Sequence, residues 1–307
     1  MKQPVPVKVK VPKKKPEPVA PFPEHGHVCL NCGHEVSNNF CNMCGQSTGT
    51  HRLSIMHFIL HDMVHSLWHV DRGIFFTLKE VLIRPGYAAI DYIRGRRAGR
   101  FPILTLLLLL IGLSLWLRGF NVPDGGRSLV RIEDIHNEFG KRLHAFATHN
   151  VKWLLLGLLP IGALSTLTIF RRTRLNYTEH LVVNSYVFAG LLVLLVIIKL
   201  TMLAIPSATG FLYKYEDVIG FLFYVFGYWQ AYHKVYRPPG IIWRYAALLV
   251  MDIFLLIVVV IIAMGTIGAL HPEWTRPGHL IPMTDSIDMT DTSTIIDIGP
   301  TTDTTGH

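Results

Sequence analysis

The sequence predicts an all-α integral membrane protein of about five transmembrane helices, preceded by interfacial amphipathic helices and a small N-terminal cysteine module. Three observations predict it. Half of the 307 residues are hydrophobic, only 16% are charged, and the mean hydropathy is +0.36, a balance that favours a membrane protein over a soluble one. Apolar runs near the ~20 residues that cross a bilayer recur through residues 101–270. All four cysteines fall between positions 29 and 44, in two close pairs.

Residues 1–24 hold six lysines, two glutamates and seven prolines. So little apolar surface cannot offset the entropy of ordering, and a disordered basic tail is expected, able to touch anionic lipid headgroups. It has no apolar core of the kind a signal peptide needs. This end is therefore expected in the cytoplasm, where thiols stay reduced.

Residues 25–50 contain CLNCGHEVSNNFCNMCG, in which Cys29-x2-Cys32 is followed after eight residues by Cys41-x2-Cys44. Two such pairs offer four thiolates in the closed tetrahedral shell of a structural zinc, and the module reads as a zinc ribbon. Gly33 and Gly45 follow the second cysteine of each pair, where a residue without Cβ lets backbone amides turn towards sulfur. An iron centre and a dithiol redox switch are the alternatives. His25, His27 and His34 lie nearby but are surplus to a four-cysteine shell.

Residues 51–100 read as amphipathic interfacial helices. Projected at 100° per residue, Leu53, Met56, Ile59, Leu60, Met63, Val64, Leu67 and Val70 share one arc, and His57, His61, His65, His69, Asp62 and Ser66 share the other. Three readings fit the histidine face: a wet side with no special chemistry, a metal site between side chains one turn apart, or a proton sensor. Residues 74–83 (IFFTLKEVLI) continue at the interface until Pro85-Gly86 stops the helix.

Within residues 101–270 the expected spans are 101–118, 153–170, 181–205, 213–233 and 245–270. The fourth is short in apolar residues, and charge supplies a second argument for it. Arg94, Arg96, Arg97 and Arg100 precede the first span, Arg171, Arg172 and Arg174 follow the second, and Lys234, Arg237 and Arg244 lie between the fourth and fifth. The alternate loops are balanced or acidic. Only five crossings satisfy the positive-inside rule, with the N-terminus inside and the C-terminus outside. The net charge of +8 is thus a topology signal, and nucleic acid is not expected as a partner. Residues 271–307, rich in Thr and Asp, are expected to be a disordered external tail.

Polar side chains inside spans are costly and mark candidate sites. They are Asn184 and Lys199 in the third span, Gln230 and His233 at the end of the fourth, and Asp252 in the fifth. At ~1.5 Å per residue, Asp252 should lie roughly 10 Å, and Lys199 roughly 27 Å, from the inner ends of their spans, too far apart to pair. Asn184, Gln230, His233 and Asp252, with Glu179 and His180 at the entrance, are expected to form an inner-leaflet polar cavity; the alternative is helix capping and interhelical bonding.

The module ending FCNMCGQ, the runs HSLWHVDRGIFFTLKEVLIRPG and YIRGRRAGRFPILTLLLLL, and more loosely NYTEHLVVNSYVF and WQAYHKVY, resemble bacterial membrane proteins of domain-of-unknown-function family 3667. The resemblance covers roughly residues 28–265. It implies a multi-pass protein of the bacterial inner membrane with a zinc-ribbon-like module, and it carries no established activity. His57 and His61 are outside the pattern, which directs attention to His65 and His69.

The expected function is that of a non-enzymatic scaffold or regulator, whose ribbon docks a protein partner while lipids surround the helices. Arg84 and Asp71 are expected to anchor the interfacial helices by charge pairing or lipid contact. A small transporter or lipid-handling protein is the second reading, and a metalloenzyme built on His65 and His69 the third. No Walker loop, GxSxG elbow or HExxH motif occurs.

Overall fold

The structure is a computed structural model and describes residues 28–56, 58, 73–117, 141, 151–236 and 238–270. Both terminal tails, the histidines His57, His61, His65 and His69, Asp71, and nearly all of the 119–150 loop lie outside the described residues. Among the described residues, regular structure is helical apart from two isolated antiparallel bridges, Val28 to Glu35 and Phe40 to Ser47.

The helices are α1 (Gly73–Ile83), α2 (Pro85–Ile93), α3 (Ile103–Leu117), α4 (Val151–Ile169), α5 (Tyr177–Ala204), α6 (Thr209–Tyr232) and α7 (Pro238–Leu270). Each end has a local cause. Pro85 lacks the N–H that would extend α1, yet suits the first turn of a new helix, so a single residue, Arg84, separates α1 from α2. Before α5, Arg174 takes the left-handed conformation at φ 57°, and Asn176 caps the helix. The Glu179 amide donates to Asn176 Oδ1 at 2.8 Å and the Asn176 amide to Glu179 Oε2 at 2.7 Å, a reciprocal capping box.

Two helices, Tyr177–Ala204 and the segment Pro239–Ala263, are long and apolar enough to cross a membrane, and Ile103–Leu117 and Leu154–Ile169 are shorter apolar helices. α5 is the centre of the bundle: α1, α2, α3, α4 and α6 all pack on it. α7 packs chiefly on α4 and barely meets α6. Tyr186, Val182, Leu106, Leu107, Phe170 and Tyr232 fill the core.

Between residues 73 and 93 the fold departs from the expectation of helices resting on a lipid surface. Pro85, Gly86, Ala88, Ala89, Ile90, Tyr92 and Ile93 of α2 are buried, packed against α5 and α6. Two glycines permit it. A Cβ on Gly86 would collide with the Gly227 carbonyl of α6, and one on Gly190 with the Val81 carbonyl, so α2 and α1 approach α6 and α5 at backbone distance. Of these two short helices, α1 is the one that presents large apolar side chains outward, with Phe75 78% and Phe76 49% exposed.

The last helix extends beyond its apolar run. α7 begins at Pro238, seven residues before the apolar run that marks the span, because Pro-Pro-Gly-Ile-Ile starts a helix without needing apolar length. Asp252 therefore stands about 21 Å along α7, near its middle.

Candidate functional site

The four cysteine sulfurs lie within 4.8 Å of one another, with Cys29 and Cys44 at 3.6 Å and Cys32 and Cys41 at 3.5 Å. Four thiolates at ~2.3 Å from one tetrahedral ion stand ~3.8 Å apart, so the set is compatible with zinc. The two halves are alike. Cys29 N–H donates to His34 O and Gly33 N–H to Cys29 O, while Cys41 N–H donates to Gln46 O and Gly45 N–H to Cys41 O, each at 2.8–2.9 Å. Gly33 and Gly45 take φ of 78° and 72°, a conformation other residues rarely adopt.

The thiols are not equivalent. Amides of Cys44 and Met43 bring the Cys41 thiol down to about 6. The His34 amide acts in the same direction on Cys32, but burial and the neighbouring sulfurs push that thiol up to about 12. Four sulfurs competing for negative charge are an environment that a dication would relieve.

The module is fastened to one end of the bundle. Gln46, 6% exposed, donates from Nε2 to Gly95 O at 2.7 Å and accepts the amides of Arg97 at 3.0 Å and Ala98 at 3.1 Å on Oε1. Its backbone carbonyl already accepts Cys41 N–H, so one residue joins the second cysteine turn to the α2–α3 turn. Arg52 adds a fork onto Glu179, at 2.7 and 2.8 Å. Glu179 thus serves as a cap and an anchor.

Beneath Gln46 lies a knot of charge. Glu80 accepts Arg84 at 2.6 Å and Arg100 at 2.7 Å, and Asp91 accepts Arg84 at 2.9 Å and Arg96 at 3.4 Å. Burial opposes ionisation of Glu80, but the hydrogen bonds from Arg100 and Arg84 outweigh it and hold the carboxyl below its usual range. Arg84 is therefore tied to Glu80 and Asp91, with Asp71 outside the described residues.

The expected polar cavity divides into separate contacts. Gln230 accepts the Gly86 amide at 3.2 Å and donates to Ile83 O at 3.3 Å, satisfying groups at the α1–α2 break. His233 stacks on Trp229 and meets Tyr87 edge-on. His180 Nδ1 lies 3.2 Å from the Tyr232 hydroxyl. Asn184 donates to Thr166 Oγ1 at 3.0 Å and to His180 O at 2.8 Å, and accepts the Tyr228 hydroxyl. Asp252 accepts the Tyr224 hydroxyl at 3.0 Å.

Asn184 and Asp252 do share a cavity, and it lies mid-bundle instead of at the module end. It encloses about 550 Å³ where α6 and α7 stand apart, between walls from α4 and α5. Tyr224 and Tyr228 floor it with Asn184, and Glu216 and Asp217 also line it. The stack of Tyr228, Tyr232 and Phe170 separates it from the module end. Glu179, His180, Gln230 and His233 do not line it.

Sequence reading missed Gln46, Arg52, Glu80, Asp91 and the tyrosines. The last had a signal: Tyr224, Tyr228 and Tyr232 recur every fourth residue, on one face of α6, and Tyr236 continues the spacing in the turn beyond it. Compared with family models, curated proteins and solved structures, the chain matches none.

Proposed function

We propose that the chain is a non-enzymatic scaffold or regulator of the bacterial inner membrane, with five crossing helices, a cytoplasmic N-terminus and a structural zinc ribbon that docks a protein partner. The observation that carries this reading is the triple hydrogen bond of Gln46, which fixes the ribbon's orientation on the bundle instead of leaving it on a tether. Cys29, Cys32, Cys41 and Cys44 hold the ion; four thiolates leave no open position, so the metal organises the ribbon and takes no substrate. Phe40 and Met43, in the second cysteine turn, are 62% and 68% exposed and supply an apolar contact for the partner. The alternating basic loops support the topology, and the quoted motifs support kinship with family 3667.

A photo-crosslinking residue placed at Phe40 or Met43, in native membranes, tests it against the same residue at Leu203, half-exposed near the end of α5. A discrete adduct at the ribbon positions, lost with Cys29→Ser/Cys32→Ser and absent at Leu203, is expected. Equal adducts at all three positions, or none, contradict the docking role.

A further inference from the structure

We propose that the cavity between α4, α5, α6 and α7 binds a lipophilic organic cation, with the carboxylate of Asp252 receiving its charge. This goes beyond ribbon docking and uses none of its residues.

Size and shape come first. A volume of about 550 Å³ falls within the ~300–1,000 Å³ of small-molecule sites. Leu158, Val187, Leu191, Phe221 and Leu256 make most of the wall apolar, which selects a hydrophobic body.

Charge comes second. Glu216, Asp217 and Asp252 line the cavity, and among the described residues no lysine, arginine or histidine does. Asp252 stands near the middle of a helix apolar enough to span a membrane, where an ionisable group marks a functional position by default. Tyr224 holds its Oδ2 and the Ser165 hydroxyl also reaches the carboxylate, but among the described residues no cation pairs with it. A carboxylate set in an apolar wall without a counter-charge costs free energy that a bound ammonium or phosphonium offsets electrostatically.

The arrangement selects an organic cation over a metal ion. Calcium takes about six to eight converging oxygens. Here Glu216 stands two turns of α6, about 12 Å, from Tyr224, the tyrosine that binds Asp252, so the acids form a track along the cavity. Among the described residues only the cysteines converge as a metal set. The faces of Tyr224, Tyr228 and Phe221 add cation–π attraction along that track.

The test uses the full chain in lipid nanodiscs, with empty nanodiscs subtracted, and two probes of matched size and opposite charge, tetraphenylphosphonium and tetraphenylborate. Saturable binding of the phosphonium alone is expected. Asp252→Asn should weaken it about tenfold or more, the scale of losing one partly desolvated counter-charge. Leu191→Trp, which narrows the cavity and leaves Asp252 in place, should weaken it as well. Zinc content should be unchanged in both variants, so failure here is separate from failure of the ribbon. Equal binding of the two probes, binding without saturation, or binding indifferent to both substitutions overturns the proposal.

Discussion

The module end of the bundle and the cavity between α6 and α7 treat polar groups in opposite ways. At the module end Glu80, Asp91, Arg84, Arg96 and Arg100 satisfy one another, and Gln46 satisfies three backbone groups. At the cavity the Asp252 carboxylate meets two hydroxyls, Tyr224 and Ser165, but no cation among the described residues, and about 550 Å³ is left open. A buried charge is tolerated when paired and costly when not. The first arrangement is therefore structural, and the second is a cost retained for a ligand.

The largest effect expected at the module end is loss of the zinc proposed for its four cysteines. Cys29→Ser/Cys32→Ser should lose on the order of 10 kcal/mol of metal-linked folding energy and unfold residues 28–50. Mass spectrometry should find one zinc per wild-type chain and none in the variant, with new protease cuts confined to the ribbon.

Removing the knot's central acid comes next. Glu80→Gln leaves Arg100, whose side chain is 6% exposed, without its main counter-charge and should cost about 3 kcal/mol. The same residue sets a pH dependence. Because its carboxyl is held below the usual value of 4.5, it contributes stability above that pH which is lost as pH falls through the lower folded value. The acid limb of a stability profile should begin below about pH 4.5 in wild type and flatten in Glu80→Gln.

Gln46→Ala strands two amides and a carbonyl and should cost about 2 kcal/mol. Its readout is faster hydrogen exchange at Arg97 and Ala98 with zinc retained. The smallest effect sharpens the other side: Tyr228→Phe, beside the cavity, removes one hydrogen bond to Asn184 and should cost about 1 kcal/mol or less.

These contrasts mark how far the sequence could be read. Apolar length and charge alternation bring the expected 153–170 and 181–205 close to the observed Val151–Ile169 and Tyr177–Ala204, because hydrophobic runs report helices directly. The cysteine pairs were legible because their spacing is local. The knot was not, since Glu80 meets Arg100 twenty residues away and Gln46 meets Arg97 fifty-one residues away. Arg96, Arg97 and Arg100 were read only as topology signals. Asn184 and Asp252 do line one cavity, while Glu179, His180, Gln230 and His233 do not, because position along a span does not tell which faces of neighbouring helices meet.

The central claim is that paired charges build this protein and an unpaired one binds for it. Thermal unfolding of Glu80→Gln and Asp252→Asn, side by side in one detergent, tests it most directly. The account predicts a fall of about 5 °C or more for Glu80→Gln and an unchanged or raised midpoint for Asp252→Asn. A stable Glu80→Gln beside a destabilised Asp252→Asn would contradict it.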